Sequence, residues 1–112
     1  MKIFHNPRCT KSRQTLQLLQ EKGAEVEIVE YLKTPPTVAE LTEVVKQLGI
    51  PAEKLLRKTE AIFKEQFKGQ NHTDAEWIQI MVDHPKLIER PIVIKDGKAV
   101  IGRPPENVAV FF

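Results

Sequence analysis

The spacing of apolar and polar residues divides this chain into short runs with distinct periods. Lys2-Ile3-Phe4-His5 is an apolar-centred run cut off by Asn6-Pro7, which predicts a strand entering a turn. From Thr10 to Lys22, Leu16 and Leu19 recur at helical spacing with Leu18 beside them, and Gly23 stands where a helix commonly stops. Glu25 to Leu32 alternates charged and apolar residues, as a strand does, and is closed by Thr34-Pro35-Pro36. Thr37 to Leu48 carries a Thr37/Glu40 capping box and one stripe of Leu41, Val44, Val45 and Leu48, ended by Gly49. A broken helical region is predicted over Glu53 to Phe67, restarting at Thr59 with Ile62, Phe63 and Phe67 turned inward. Gly69 to His72 reads as a loop. Thr73 and Glu76 form a second capping box, opening a helix with Ile78, Met81 and Val82 that stops before His84-Pro85.

The last third changes period. Pro91 to Lys95 and Lys98 to Ile101 flank Asp96-Gly97, the strongest short signal for a two-residue type I′ hairpin. Pro104 suits the first turn of a final helix, Glu106 sits well against its dipole, and Phe111 and Phe112 form a closing apolar patch. Strand, helix and strand at the start make a right-handed βαβ unit with parallel strands. The whole order, β-α-β, a helical insertion, then β-β-α, is a thioredoxin-like layout: an α/β fold with a mixed four-stranded sheet flanked by helices.

Composition narrows this picture little. A chain of 112 residues suits one domain, 1–112, and its 41% apolar and 29% charged content is ordinary for a globular protein. Seventeen Lys and Arg against fifteen Asp and Glu leave a net charge of +2, too weak and too dispersed for a nucleic-acid footprint. The apolar runs are too short to span a membrane and the N-terminus lacks a signal-peptide core, so the expected location is cytoplasmic with no membrane partner.

The single cysteine excludes an intramolecular disulfide and a Cys-rich metal site, so any redox partner of Cys9 is another molecule. A free cysteine is by default a small core residue. Position argues otherwise here: Cys9 opens a predicted helix, where the dipole and unpaired amides favour a thiolate, and Arg8, Lys11 and Arg13 surround it. Ser12, one turn on, is placed to donate a hydroxyl hydrogen bond to the sulfur. His5, four residues before Cys9, either stabilises the thiolate as imidazolium or hydrogen-bonds the turn. A phosphatase-like anion loop would need a second arginine six residues after the cysteine; that position is Thr15, so this reading fails. His72 reads as a loop residue, His84 as a charge partner at a helix C-terminus and Trp77 as packing. The three histidines match no metal motif, and no metal is expected.

Arg57, Arg90 and Arg103 complete the candidate set. Each alone would ordinarily be a solvated surface residue. Arg90 and Arg103 directly precede prolines at the edges of the hairpin, and in a thioredoxin-like fold the loop before the third strand lies beside the first helix's N-terminus. Convergent guanidinium forks suit a tetrahedral oxyanion. In such folds the residue at the start of that strand is characteristically a cis proline, so a cis Arg90–Pro91 peptide is expected.

With "HNPRCTKSR", "YLKTPPT", "LLRK", "HPKLIERPIVI" and "IGRPPE" in order along the chain, the sequence resembles the glutaredoxin-coupled arsenate reductase family over essentially its whole length. The resemblance implies Cys9 as nucleophile, His5 and Ser12 as residues assisting thiolate formation, and Arg57, Arg90 and Arg103 as oxyanion-binding residues. It further implies arsenate as substrate, glutathione as co-substrate, glutaredoxin as protein partner and no bound cofactor. Thr10-Lys11 replaces the Gly-Thr pair of plasmid-type members, and Thr is the stiffer residue at the first position. Two other readings share the pattern: a glutathione-dependent thiol reductase acting on another substrate, and a non-enzymatic Spx-like regulator. The regulator's C-x-x-C switch is precluded by Ser12.

Overall fold

The computed structural model describes all residues from Met1 to Phe112. They form two compact units, one of Met1–Thr34 with Arg90–Phe112 and one of Pro35–Glu89.

The first unit is built on a four-stranded sheet in the order β2-β1-β3-β4, with β1 Lys2–Phe4, β2 Glu27–Val29, β3 Ile92–Lys95 and β4 Lys98–Ile101. β1 runs parallel to β2 and antiparallel to β3, and β3 and β4 form the hairpin, so the sheet is mixed. Asp96 and Gly97 have φ of 51° and 77°, the positive pair that a type I′ turn requires. Helix α1, Thr10–Glu21, follows β1. Its Leu19 is fully buried with Ile3 and Val93 of the sheet and Val108 of the C-terminal segment, while Leu16, Leu18 and Phe111 pack around them. Truncating a side chain such as Leu19 to Ala would cost about 2–5 kcal/mol. With the helical insertion between β2 and β3, this is a thioredoxin-like fold.

The second unit is the insertion. It comprises α2 Val38–Leu48, a 3₁₀ turn Ala52–Leu55, α3 Ala61–Gln66, α4 Asp74–Asp83 and a 3₁₀ turn Pro85–Leu87. Both capping boxes are formed in full: Thr37 and Thr73 accept from the Glu40 and Glu76 amides, and the two glutamates accept from the threonine amides. Trp77 is buried, with Phe63 tilted at 6.4 Å and His72 edge-on at 4.6 Å. The His84 ring packs on Phe67 at 5.6 Å.

Three elements differ from the periodicity. The strand expected over Glu25–Leu32 is only Glu27–Val29, because the Lys33 and Thr34 amides both donate to the Glu30 carbonyl and turn the chain while Tyr31 is buried. The helical region expected over Glu53–Phe67 is interrupted more deeply than a restart at Thr59, since Leu56 leaves the helix to form an antiparallel bridge with Ile88 and α3 begins only at Ala61. Phe63 is buried there, whereas Ile62 and Phe67 are half-buried. The last helix is a 3₁₀ segment, Pro105–Phe111, with Pro104 as its N-cap and Pro105 in its first turn. Phe112 is exposed, its ring 5.8 Å from Lys95 Nζ.

Candidate active site

The loop Asn6-Pro7-Arg8 carries the chain from β1 to α1 and is tied by its own backbone. The Asn6 carbonyl accepts from the Cys9 amide at 3.0 Å, and Asn6 Oδ1 accepts from the Arg8 amide at 3.0 Å. Arg13 folds back over the loop, donating to the Pro7 carbonyl at 3.0 Å and to Thr10 Oγ1 at 3.3 Å. Thr10 thus holds a cation as well as opening the helix. This places Cys9 at the N-cap of α1, half-buried, with no acidic residue in the first turn to oppose the dipole.

Burial by itself pushes the Cys9 thiol up, but the opposing groups prevail and its pKa is lowered. The largest of them is the Ser12 amide, followed by a hydrogen bond from the Arg90 side chain and then the charges of Arg103 and Arg90. The sulfur makes no capping bond in the strict sense; the Ser12 N–H nonetheless faces it from the third helical position. Arg103 places Nη2 3.6 Å from Sγ. Its Nε donates to the Arg90 carbonyl at 2.8 Å, so the two arginines are joined to each other as well as to the sulfur. The Arg90–Pro91 peptide is cis, and so is Arg103–Pro104.

Ser12 serves the site through its backbone rather than through its hydroxyl, which is turned away from the role expected of it. Ser12 Oγ is fully buried, accepts from the Asn6 amide at 3.0 Å and lies 2.7 Å from His5 Nδ1. Burial is the main cause lowering the His5 pKa; Glu30 pulls it up and Arg13 adds to the lowering. That lowering favours the neutral ring, and the 2.7 Å contact with Ser12 Oγ makes His5 a hydrogen-bond partner within the turn. In either neutral tautomer the bond forms, the hydroxyl donating to a bare Nδ1 or accepting from Nδ1–H.

Cys9, His5, Ser12, Arg90 and Arg103 all belong to the first unit and are brought together there. Arg57 belongs to the second. Its amide donates to the Leu87 carbonyl at 2.8 Å, and its Nε and Nη1 each lie 3.2 Å from a carboxylate, Glu60 and Glu89 respectively. Two loop-ordering residues were not signalled by residue type: Asn6, whose backbone and side chain shape the loop, and Thr15, a buried polar residue on the same helix face as Ser12 and Leu19. For Thr15 the helical spacing was a usable clue. No group of three His, Cys, Asp or Glu side chains is arranged to hold a metal, and no helix is long and apolar enough to cross a membrane.

An arginine pair beside a cysteine whose pKa is lowered at a helix N-terminus can stabilise a thiolate and hold an anion beside it. The ArsC family model matches residues 4–111. The arsenate reductase of Neisseria meningitidis is 44% identical, the match covering 96% of this chain and 94% of that one. An uncharacterized Escherichia coli K12 protein, YfgD, is 52% identical over 96% of this chain and 92% of its own. The solved arsenate reductase from Vibrio cholerae superposes with a TM-score of 0.94 at 42% identity, covering 100% of this chain and 98% of that one. With a family model spanning nearly its full length and relatives of this identity, the chain belongs to the ArsC family.

Proposed function

We propose that this protein is an arsenate reductase in which Cys9 is the nucleophile. The observation that carries the reading is the sulfur's environment: a lowered pKa, the Ser12 amide, the Arg90 side chain and Arg103 Nη2 at 3.6 Å. Catalysis at such a centre needs two things from the protein, an ionised sulfur and fixed positive donors for the oxyanion. The arginines supply both in turn, first to the thiolate and then to the oxygens of the bound arsenate. Arg57, Arg90 and Arg103 are the oxyanion-binding residues in this reading. The His5–Ser12–Asn6 network holds the first turn of α1 so that the Ser12 amide stays aimed at the sulfur.

The thiolate adds to arsenic, an oxygen leaves as water, and a Cys9–S–As(V) adduct forms. Reduction of As(V) to As(III) takes two electrons, which a pair of thiols provides by becoming a disulfide. This chain carries one cysteine, so the second thiol comes from another molecule. Glutathione fits as that co-substrate, and glutaredoxin as the protein that resolves the glutathione adduct as arsenite departs. Those thiol pools are maintained in the cytoplasm, where we place the reaction. We further read residues 1–112 as one functional domain, a reading supported by a family match that runs through both compact units.

The test is arsenate-dependent NADPH consumption in a coupled system of glutathione, glutathione reductase and glutaredoxin. Wild-type protein should turn over only when arsenate, glutathione and glutaredoxin are all present, and Cys9→Ser should be inactive. A wild-type rate no higher than that of Cys9→Ser sinks the proposal.

A further inference from the structure

Thr15 and Gly102 lie 87 residues apart in the chain and meet in a buried seam between α1 and the end of β4. The Thr15 hydroxyl lies 2.8 Å from the Lys11 carbonyl oxygen one turn back and 3.3 Å from the Gly102 carbonyl oxygen, so its single proton is shared between helix and strand end. On its other side Gly102 donates its amide to the Pro91 carbonyl at 2.9 Å. The junction leaves no room for a side chain at Gly102. A Cβ there would lie 2.7 Å from Thr15 Oγ1, 2.9 Å from Thr15 Cγ2 and 2.9 Å from Pro91 Cγ. The constraint is close approach of backbone to side chains, one of the uses that only glycine meets.

Each member of the junction adjoins a part of the thiol site. Gly102 precedes Arg103, Pro91 follows Arg90, and Thr15 rides on the helix that Cys9 caps. The bond from Arg103 Nε to the Arg90 carbonyl closes the ring of contacts. Neither Thr15 nor Gly102 is among the groups that act on the sulfur, which are the Ser12 amide, Arg90 and Arg103. We propose that Thr15 and Gly102 are positioning residues for the reactive cysteine: their contact sets how closely α1 approaches the Pro91–Gly102 backbone pair, and through that pair it places Arg90 and Arg103 against the Cys9 sulfur. The proposal rests on Cys9 being the reacting group and does not require arsenate to be its substrate. A shift of about 1 Å between a charge and its target is enough to matter in a preorganised site.

The experiment titrates thiolate ultraviolet absorbance against pH in full-length wild type, Thr15→Val, Thr15→Ser and Gly102→Ala, with a melting temperature for each. Valine keeps the shape of Thr15 and removes the hydroxyl; serine keeps the hydroxyl and removes the methyl. The Cys9 midpoint should rise by roughly 0.5 to 1 in Thr15→Val and stay near wild type in Thr15→Ser. Reaction of Cys9 with a neutral alkylating agent near neutral pH should slow several-fold in Thr15→Val and in Gly102→Ala and stay near the wild-type rate in Thr15→Ser. Gly102→Ala should raise the midpoint at least as far as Thr15→Val. If it does not fold, the two Thr15 variants decide. A merely structural role for Thr15 would lower the melting temperature of Thr15→Val without moving its midpoint, and that result overturns the proposal. Loss of arsenate turnover in wild type, with these midpoints moving as described, would refute the substrate and leave the positioning role standing.

Discussion

Arg103 reaches back across 94 positions of sequence to set its Nη2 3.6 Å from the Cys9 sulfur. The same guanidinium donates through Nε to the Arg90 carbonyl at 2.8 Å, so its plane is fixed by one bond while its charge is spent on the other. An opposite charge at this range favours ionisation by about 1 pKa unit or more. Arg103→Gln should therefore raise the Cys9 titration midpoint by about 1. Arg103→Lys, which keeps the charge and loses the fork, should raise it less. Equal midpoints in wild type and Arg103→Gln would show that this arginine does not act on the thiol.

Ser12 should matter to stability through its hydroxyl and to chemistry through its amide. Replacing it by Ala leaves the buried Asn6 amide and His5 Nδ1 without their shared partner. Urea unfolding should register a loss of about 1–3 kcal/mol. The thiol midpoint should change little as long as the first turn of α1 remains formed. A Ser12→Ala protein as stable as wild type would contradict the network.

His5 gives stability a dependence on acid. Its folded pKa lies below 6.5 because of burial. Above 6.5 the ring is neutral in both folded and unfolded chains, and its contribution is fully present. As the pH falls, the unfolded chain takes up the proton first, so that contribution is lost as the pH drops through the folded pKa. The urea midpoint of wild type should decline from pH 7 to pH 5 more steeply than that of His5→Gln. Parallel profiles would mean that His5 is not buried neutral.

Arg57 is held by two carboxylates in its own unit, with about a quarter of each side chain exposed. At that exposure the pairs are worth roughly 1 kcal/mol, more than a surface pair and less than a fully buried one. Glu89→Ala should lower stability by about that amount. If Arg57 holds the oxyanion, Arg57→Ala should raise the KM for arsenate about tenfold to a hundredfold, the range of a lost charge-assisted hydrogen bond. An unchanged KM would remove Arg57 from the oxyanion-binding set.

What the sequence disclosed divides by distance along the chain. The Thr37/Glu40 and Thr73/Glu76 capping boxes and the Asp96-Gly97 hairpin were legible because each is decided within four residues. Cys9 at the head of α1 was legible for the same reason. The end of β2 was not, since the alternation in Glu25–Leu32 continues past Val29 while amides of Lys33 and Thr34 turn the chain. The break at Leu56 depends on Ile88, and the fit of Gly102 on Thr15 and Pro91, neither of which a local pattern records. Ser12 was identified as a residue but not by the group that acts. A hydroxyl near a thiol suggests a direct bond, whereas burial commits it to Asn6 and His5 and leaves the amide to the sulfur.

The central claim is that the fold keeps Cys9 as a thiolate for reaction. Titrating the ultraviolet absorbance of the wild-type protein, with Cys9→Ser as the blank, tests it most directly, because this chain has a single cysteine to ionise. The expected midpoint lies below that of a free cysteine, about 8.5, because the Ser12 amide, Arg90 and Arg103 outweigh burial. A midpoint at or above that value would contradict the claim.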